Sequence, residues 1–510
     1  MSLSSPKSRL LNRPSNCLPS GEPAAGCAVE SGCRTRTKPP YPTHQHKMYY
    51  LATEEYQRLP SPLADRYTVV NRSPLVVRDL YPERESTPPD VTLDTAQPYQ
   101  RLNPWRWAIP EVHAQFTPGR CLLLENAPLE EDGAPWPTLG QSWPMAEPLR
   151  QLGWLLQLAK LWEPCCRQKV VSSLLASANI GVQGWQVRLF YLTQDRVPVS
   201  LQALAASWLS LTPMVGELRA VVQALAAGKF ARIEVLVAAL EALAVQTNTG
   251  CRVQAVTSAT HPGRRELNED CLVYDPQGRF AVVCDGMGGH EGGKLASFLA
   301  ISSLQQDFAC LSYQDSPPSE LRAQLAGAAQ RAHQRLWRLN QRQGRSGRRQ
   351  MGTTVAACFL RGPLLHTVHV GDSRVYLIDR RHCQQLSVDD DVLNLEVSLA
   401  RTTRRALHRQ SGSGRLTQAL GVIPPNDLKP TTRSFLLPED CLVLLCSDGL
   451  SDGDFVERHW REAFLPLLDR GNLEAAGAAL VEMALLELGH DNISFVLLKY
   501  AAAAPRTDAG

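Results

Sequence analysis

From Cys251 onward, apolar runs that suit the strands of a buried sheet alternate with stretches of helical periodicity. The runs are rich in Val, Leu and Phe, which favour buried strands. Between them we predict helices at 294–307, 319–343, 416–420 and 473–488. Six or more strands separated by helices over about 250 residues indicate two packed sheets with helices outside. The strand candidates read QAVTSA, FAVVCD, TTVAACFL, HTVHVG, VYLI, LVLLCS and ISFVLLKY.

The N-terminal half has a different pattern. Its first 48 residues are rich in Pro, Ser, Arg and Lys and poor in aliphatic residues, which predicts a disordered tail. Short strand-like pieces, including RCLLLE at 120–125, then lead into a region of helical periodicity. We therefore divide the chain into a disordered tail, 1–48, a mainly helical domain, 49–248, a sheet-containing domain, 249–502, and a frayed tail, 503–510.

Composition narrows the class of protein. The 510 residues are 44% hydrophobic and 20% charged with a net charge of +3, as in a globular protein with a sizeable core. The most apolar stretch, 221–245, is broken by charged residues, so we predict no membrane span and no membrane partner. The 14 cysteines lie mostly inside apolar runs, which indicates buried thiols and a cytoplasmic location. Nothing in the pattern indicates a nucleic-acid partner, and the oligomeric state is not predicted.

Acidic residues stand where several of the apolar runs end, beside glycine or asparagine. A carboxylate at the end of a buried strand is well positioned but costly to bury. Several such groups brought together would repel one another unless cations lay between them. Carboxylate and carbonyl oxygens are ligands that Mg²⁺ and Mn²⁺ prefer, so the pattern predicts a divalent metal site. The acidic residues are Glu269, Asp270, Asp285, Asp372, Asp448 and Asp491.

This region contains six ordered motifs: RRELNED, VVCDGMGGHEGG, MGTTVAACFL, HVGDSRVYLI, CSDGLSD and GHDNISFV. With them it resembles the metal-dependent serine/threonine protein phosphatases of the protein phosphatase 2C class, bacterial type, over about residues 251–500. The resemblance implies an α+β fold, a β-sandwich flanked by helices on both faces, with two Mn²⁺ or Mg²⁺ ions and a third, weaker site.

The resemblance also implies metal ligands. Asp285 would bridge both ions, and the carbonyl of Gly286 would bind one of them. Glu269 would contact the second ion directly or through water. The remaining implied ligands are Asp448 and Asp491 at the first ion and Asp372 at the third.

Further residues near these acids have implied roles. Arg265 matches the phosphate-binding arginine of the family, and a guanidinium can pair with two phosphate oxygens. Arg265 and Asp285 are the two catalytic residues that the resemblance implies. Asp270 would orient its neighbours, and Asn492 would hold the loop of Asp491.

Two positions depart from the family pattern. Met287 stands where some members carry a histidine proposed to protonate the leaving group. The residue that protonates the leaving group in this chain is therefore not predicted. The segment LSVDDDVLN at 386–394 differs from the family's usual LTxDHS. Substrate contacts and a mobile flap, expected within 389–414, therefore stay open as well.

The N-terminal half resembles a degenerate protein kinase domain. A long helical stretch, LRQLGWLLQLAKLW, is followed by a hairpin-like segment, as in the larger kinase lobe. The catalytic motifs of kinases are absent from this part of the sequence, so we assign it no ATP. A helical scaffold that merely packs a core explains the pattern equally well.

The function predicted from these observations is hydrolysis of phosphoserine and phosphothreonine in phosphorylated proteins. A hydroxide bridging the two metal ions would attack phosphorus in line. The N-terminal half would regulate this activity or recruit substrates. The alternative is a catalytically weak signalling scaffold that acts by binding proteins.

Overall fold

The computed structural model describes residues 48–53, 66–82, 94–116, 121–214, 216–247, 250–288, 291–312, 316–407 and 412–502. The predicted tails, 1–48 and 503–510, lie outside this part of the chain except for Met48. Among the helices of the described residues, none has the length and apolar character needed to cross a bilayer.

The strands, in chain order, are β1 Tyr49–Ala52, β2 Tyr67–Arg72, β3 Leu75–Asp79, β4 Glu111–Phe116, β5 Cys121–Glu125, β6 Ile180–Gln183, β7 Gln186–Leu189, β8 Arg252–His261, β9 Cys271–Tyr274, β10 Phe280–Cys284, β11 Gly286–Met287, β12 Gly352–Thr353, β13 Val355–Arg361, β14 Leu364–Val370, β15 Arg374–Ile378, β16 Cys383–Gln385, β17 Thr431–Leu436, β18 Cys441–Cys446 and β19 Ile493–Ala501.

The α-helices are α1 Gln97–Arg101, α2 Leu139–Ser142, α3 Pro148–Arg167, α4 Leu201–Leu209, α5 Gly216–Ala226, α6 Ile233–Thr247, α7 Glu291–Leu311, α8 Pro318–Arg342, α9 Val392–Ser398, α10 Arg404–Leu407, α11 Asp448–Ser451, α12 Phe455–His459 and α13 Glu474–Glu487.

Two five-stranded antiparallel sheets form the C-terminal half, in the orders β17-β14-β13-β10-β9 and β16-β15-β18-β19-β8. Alternate residues of each strand face opposite layers, as the pleat requires. Ala281 and Val283 of β10 join Val443 of β18 in the core between the sheets. Phe280 and Val282 pack outward against α7 and α8. The second sheet is covered in the same way by α11, α12 and α13. The predicted sandwich with helices on both faces is confirmed.

One predicted helix, at 416–420, is wrong. Leu416 forms a bridge with Asp391, and Leu420 forms one with Thr353. The Leu420 N–H donates to the Thr353 carbonyl at 2.8 Å and its carbonyl accepts from Thr353 N–H at 3.2 Å. Pairing with a strand end supplies the backbone partners that a short helix would have supplied, so tertiary context overrides the local pattern.

The N-terminal half contains a third antiparallel sheet, in the order β2-β3-β1-β5-β4, before its helices and the β6–β7 hairpin. The strand expected at 120–125 is β5. The bounds of the domains and the resemblance to a kinase stay predictions.

The N-terminal half packs against β17, which is an edge strand of the first sheet of the sandwich. Trp107 and Trp185 meet the ring of Phe435 with their planes nearly perpendicular, at centroid distances of 5.7 and 6.0 Å. Residues of α3 and α6 belong to the same hydrophobic cluster as the layer between the sheets. The two halves therefore share the largest core cluster, while smaller clusters lie within each half.

A buried ionic cluster lies in this interface. Glu241 of α6 is 0% exposed and pairs with Lys160 of α3 at 2.8 Å and with Arg322 of α8 at 2.6 Å. Lys160 also donates to the Ser434 carbonyl at 2.8 Å, and the Ser434 hydroxyl contacts Arg322 at 3.1 Å. Burial raises the pKa of Glu241, but the two cations outweigh it and hold the pKa at about 2. The carboxylate is thus charged and fully paired.

Replacing Glu241 by Gln should lower the free energy of unfolding by about 3 kcal/mol at neutral pH, because two buried cations lose their counter-charge. Because the core is shared, both halves should unfold in one transition. Chemical denaturation followed by fluorescence and circular dichroism measures this. The matched control is Glu163→Gln in the exposed Arg167 pair, where a loss below about 1 kcal/mol is expected. Equal losses in the two variants would contradict the prediction.

Candidate metal centre

Asp285 follows the last residue of β10 and has a firmly held backbone. Its N–H donates to the Thr354 hydroxyl at 3.0 Å. Its carbonyl accepts from the Thr353 hydroxyl at 2.8 Å and from the Thr354 N–H at 2.9 Å. The β12–β13 segment therefore fixes the point at which this carboxylate leaves the sheet.

Close backbone packing explains the glycines after Asp285. A Cβ on Gly286 would lie 2.2 Å from the Gly293 carbonyl oxygen and 2.6 Å from that of Glu269. A Cβ on Gly293 would lie 2.5 Å from Oε1 of Glu269. Only glycine fits at both positions without displacing neighbours. This packing brings the loop of Glu269 against the start of α7.

Asp448 and Asp491 lie at the same end of two neighbouring strands in the second sheet. Asp448 is the first residue of α11, directly after β18, and Asp491 precedes β19. These strands are neighbours, with Cys446 opposite Phe495. Asn492 joins the loops: its N–H donates to Asp491 Oδ1 at 2.8 Å, and its Oδ1 accepts from the Glu269 N–H at 2.8 Å.

Asp372 lies in the turn between β14 and β15. The next residue, Ser373, shares a hydrogen bond of 2.6 Å with the Thr354 hydroxyl, which also accepts from Asp285 N–H. The turn of Asp372 is therefore tied to the strand end of Asp285.

Electrostatics shows that five of these acids share one region. Burial, followed by Asp448 and Asp491, raises the pKa of Asp270 to about 7. Burial, followed by Asp452 and Asp491, raises the pKa of Asp448 to about 6. The pKa values of Asp285 and Asp372 are raised well above the ordinary range, by burial first and then by their acidic neighbours. Such mutual effects require carboxyls that lie close together.

Carboxyl oxygens without hydrogen-bond partners are a further feature of this region. Within the described ranges, no group of three or more His, Cys, Asp or Glu side chains is arranged to hold a metal ion. Asp448 is among the acidic neighbours that, after burial and Asp270, raise the pKa of Asp285. Oδ1 of Asp270 and Oδ1 of Asp448 are buried without a hydrogen-bond partner. Buried oxygens of this kind are costly unless a cation or donor meets them, so the donor set fits a hard divalent ion.

Arg265 lies beside these acids. Its side chain is 56% exposed, and Nη2 donates to Asp491 Oδ2 at 2.6 Å while Nε donates to the His490 carbonyl at 3.1 Å. The guanidinium thus pairs with one of the implied metal ligands. Its role in binding phosphate stays a prediction.

Two further residues of this region are not among those predicted from the sequence. Asp452 contacts His490 Nε2 at 3.1 Å and raises the pKa of Asp448. The Ser447 hydroxyl donates to Asp270 Oδ2 at 2.8 Å. Both belong to the motif CSDGLSD, and the spacing of one helical turn between Asp448 and Asp452 was the available signal.

The segment expected to contain the flap is described except for 408–411. Asp389 pairs with Arg374 at 2.8 Å. The Asp390 N–H donates to the Gly371 carbonyl at 2.7 Å, and its Oδ2 accepts from the Gly371 N–H at 3.0 Å. The segment therefore contacts the turn of Asp372.

The C-terminal half is similar in sequence to known protein phosphatases. Residues 258–484 match the protein phosphatase 2C family. The serine/threonine protein phosphatase PstP of Mycobacterium tuberculosis is 31% identical over 235 residues, 46% of this chain and 42% of PstP. A putative protein phosphatase 2C-type of Streptococcus pyogenes is 29% identical over 217 residues, 42% of this chain and 84% of that protein.

Solved structures are similar over the same part of the chain. The catalytic domain of PstP in complex with 2 manganese ions is 28% identical, with a TM-score of 0.41, covering 49% of this chain and 99% of that one. The serine/threonine phosphatase Stp1 of Staphylococcus aureus is 25% identical, with a TM-score of 0.42, covering 50% of this chain and 97% of that one.

The C-terminal half is an α+β domain, a two-sheet sandwich with acidic residues at its strand ends. The match to the protein phosphatase 2C family covers most of this domain. The chain spans 42% of the length of PstP, and residues before 258 lie outside the family match.

Mn²⁺ binding should release protons and should weaken as the pH falls below about 7, because the carboxyls of Asp270 and Asp448 must lose protons that burial helps them keep. Calorimetric titrations in two buffers of different ionisation enthalpy measure the release. Asp448→Asn should remove most of the binding, whereas Asp469→Asn in the exposed Arg380 pair should change nothing. Binding that is independent of pH between about 6 and 8 would contradict this.

Asp270→Asn should stabilise the metal-free protein. The folded pKa of about 7 lies above the unfolded value of about 4. Ionisation of Asp270 therefore lowers the free energy of unfolding as the pH rises above about 4, and the full loss is reached above about pH 7. At about pH 8 in chelator, we expect a gain of about 1–3 kcal/mol that shrinks towards about pH 5.

The matched control, Asp275→Asn, should change the stability in the opposite direction. Arg279 outweighs burial and lowers the pKa of Asp275, with a 2.9 Å pair. Its carboxylate stabilises the fold above the unfolded pKa, so Asp275→Asn should destabilise at about pH 8 and less at lower pH. Thermal unfolding at several pH values measures both variants. A loss of stability in Asp270→Asn at every pH would refute the prediction.

Proposed function

We propose that the chain is a metal-dependent protein serine/threonine phosphatase that uses Mn²⁺ or Mg²⁺. The observation that supports this most is the convergence of acids from β10, the β14–β15 turn, β18 and the start of β19, with buried oxygens that lack partners. The family match and the relatives named as phosphatases support the same activity.

The residues that would hold the ions are those implied by the motifs: Glu269, Asp285, the Gly286 carbonyl, Asp372, Asp448 and Asp491. When bound, paired divalent ions lower the pKa of water and neutralise phosphate charge. The protein's own groups fix the geometry: Thr353 and Thr354 hold Asp285, and Asn492 holds the Glu269 loop.

Arg265 would bind the phosphate of the substrate. Its exposed guanidinium lies at Asp491, so its donors face the region where the acids meet. A planar fork can pair with two phosphate oxygens, which lysine cannot do. Asp270 would keep its neighbours oriented through the Ser447 hydroxyl.

The substrates would be phosphoserine and phosphothreonine proteins, and the N-terminal half would regulate the site or recruit them. The shared core supports a coupled role for this half. Cytoplasmic location stays part of the proposal; the described cysteines are free thiols, and six of them are buried. A purely binding scaffold is not favoured, since every implied metal ligand is present.

The full-length protein should release phosphate from a phosphoserine peptide only with Mn²⁺ or Mg²⁺. Asp285→Asn should lower kcat/KM by at least about 100-fold, because the bridging ligand would lose its charge. Phosphate release at several metal concentrations measures this, with melting temperatures to show that the variant folds. Asp469→Asn is the control and should match the wild type. Metal-independent release, or full activity in Asp285→Asn, would overturn the proposed function.

A further inference from the structure

Residues 385–407, here called the bridging segment, lie between the N-terminal half and the metal centre. The segment begins at the last residue of β16 and includes α9 and α10. Its contacts on the two sides involve different residues. A change on one side can therefore reach the other through the segment.

The strongest contact with the N-terminal half is an ion pair. Arg404 Nε donates to Oε2 of Glu111, on β4, at 2.8 Å, and the side chains are 23% and 10% exposed. Arg404 Nη2 also donates to Oδ1 of Asn394 at 2.8 Å and to Oδ1 of Asn103 at 3.1 Å. Burial raises the pKa of Glu111, but Arg404 and Arg106 outweigh it and keep the pKa low. The pair is thus charged and shielded from solvent.

Further hydrogen bonds reinforce this side. Gln100, buried on α1, donates through Nε2 to the Thr402 carbonyl at 2.8 Å. Arg405 contacts His113 Nε2, on β4, at 2.6 Å. Since arginine can only donate, Nε2 of His113 is the acceptor. The N-terminal half therefore holds the segment at several points between 394 and 405.

A chain of polar contacts leads from the N-terminal half to the metal centre. Arg106 Nη2 donates to Gln385 Oε1 at 2.5 Å, and Gln385 Nε2 donates to Asp389 Oδ1 at 2.8 Å. Asp389 pairs with Arg374 at 2.8 Å. Arg374 Nη1 then donates at 3.2 Å to the carbonyl of Ser451, the last residue of the helix that begins with Asp448.

The segment also touches the turn of Asp372 directly. Both the N–H and a carboxylate oxygen of Asp390 bond to the backbone of Gly371, at 2.7 and 3.0 Å. The Asp390 carbonyl accepts from the Thr417 N–H at 2.7 Å. A protein substrate is far larger than its phosphate, so it must also contact surfaces around the acids. The segment adjoins the turn of Asp372 and is therefore a candidate for such a contact.

We propose that Glu111 and Arg106 are positioning residues of the N-terminal half, which hold the bridging segment in the place that a phosphoprotein substrate contacts. This deepens the proposed function and rests on it. The N-terminal half would then set the affinity for protein substrates through the segment, while hydrolysis of small phosphate esters would depend on the metal centre alone.

The test uses Glu111→Gln in the full chain, because the halves share a core. On a phosphoserine peptide, kcat/KM should fall at least about fivefold, mainly through KM. With p-nitrophenyl phosphate it should stay within about twofold. Hydrogen exchange within 391–407 should become faster. Arg404→Lys, which keeps the charge but not the fork, should give an intermediate result.

Glu131→Gln is the matched control. Glu131 also pairs across the two halves, with Arg461 at 2.7 Å, but the side chains are 78% and 53% exposed and do not belong to the segment. It should resemble the wild type in both substrates and in exchange.

Three outcomes would overturn the proposal: wild-type peptide kinetics in Glu111→Gln, equal losses on both substrates together with a lower melting temperature, or unchanged exchange at 391–407. A wild-type protein without metal-dependent activity would instead refute the proposed function, and the exchange experiment would still report whether Glu111 holds the segment.

Discussion

Mutual repulsion of carboxyls at one end of the sandwich is the constraint on which the site depends. Burial and acidic neighbours raise the pKa values of Asp285 and Asp448, and Asp270 and Asp448 each keep a buried oxygen without a hydrogen-bond partner. A fold can hold such groups only if their backbones are fixed from outside. Thr354, Ser447 and the tightly packed glycines do this, and the cost of crowding is what a divalent cation would offset.

Buried and paired charges also determine how the two halves contact each other. Glu241 is paired with two cations where α3, α6 and α8 meet, and Glu111 is paired with Arg404 of the bridging segment. Removing one member of such a group leaves its partner buried and unpaired, so these contacts fix one arrangement of the halves. The shared aromatic packing around Phe435 adds an apolar contribution to the same interface.

Much of the C-terminal fold was predictable because its signals are local. Alternation along β10 and β18 assigns residues to the inner or outer layer, and the helices at 294–307, 319–343 and 473–488 appear with slightly different ends. The helix expected at 416–420 is absent because Leu416 and Leu420 find backbone partners far away in sequence. The motifs identified the acids, but not the pairing of Arg265 with Asp491 or the contribution of Asp452.

By itself, the sequence determined which segments become strands of the sandwich and which acids its motifs imply as metal ligands, since strand pattern and motif spacing are properties of neighbouring residues. Only the tertiary structure decided how the two halves are joined. Arg404 and Glu111, or Glu241 and Arg322, are far apart along the chain, and nothing near either residue indicates its partner. Pairing of buried charges depends on which surfaces meet, and that is settled only when the whole core forms.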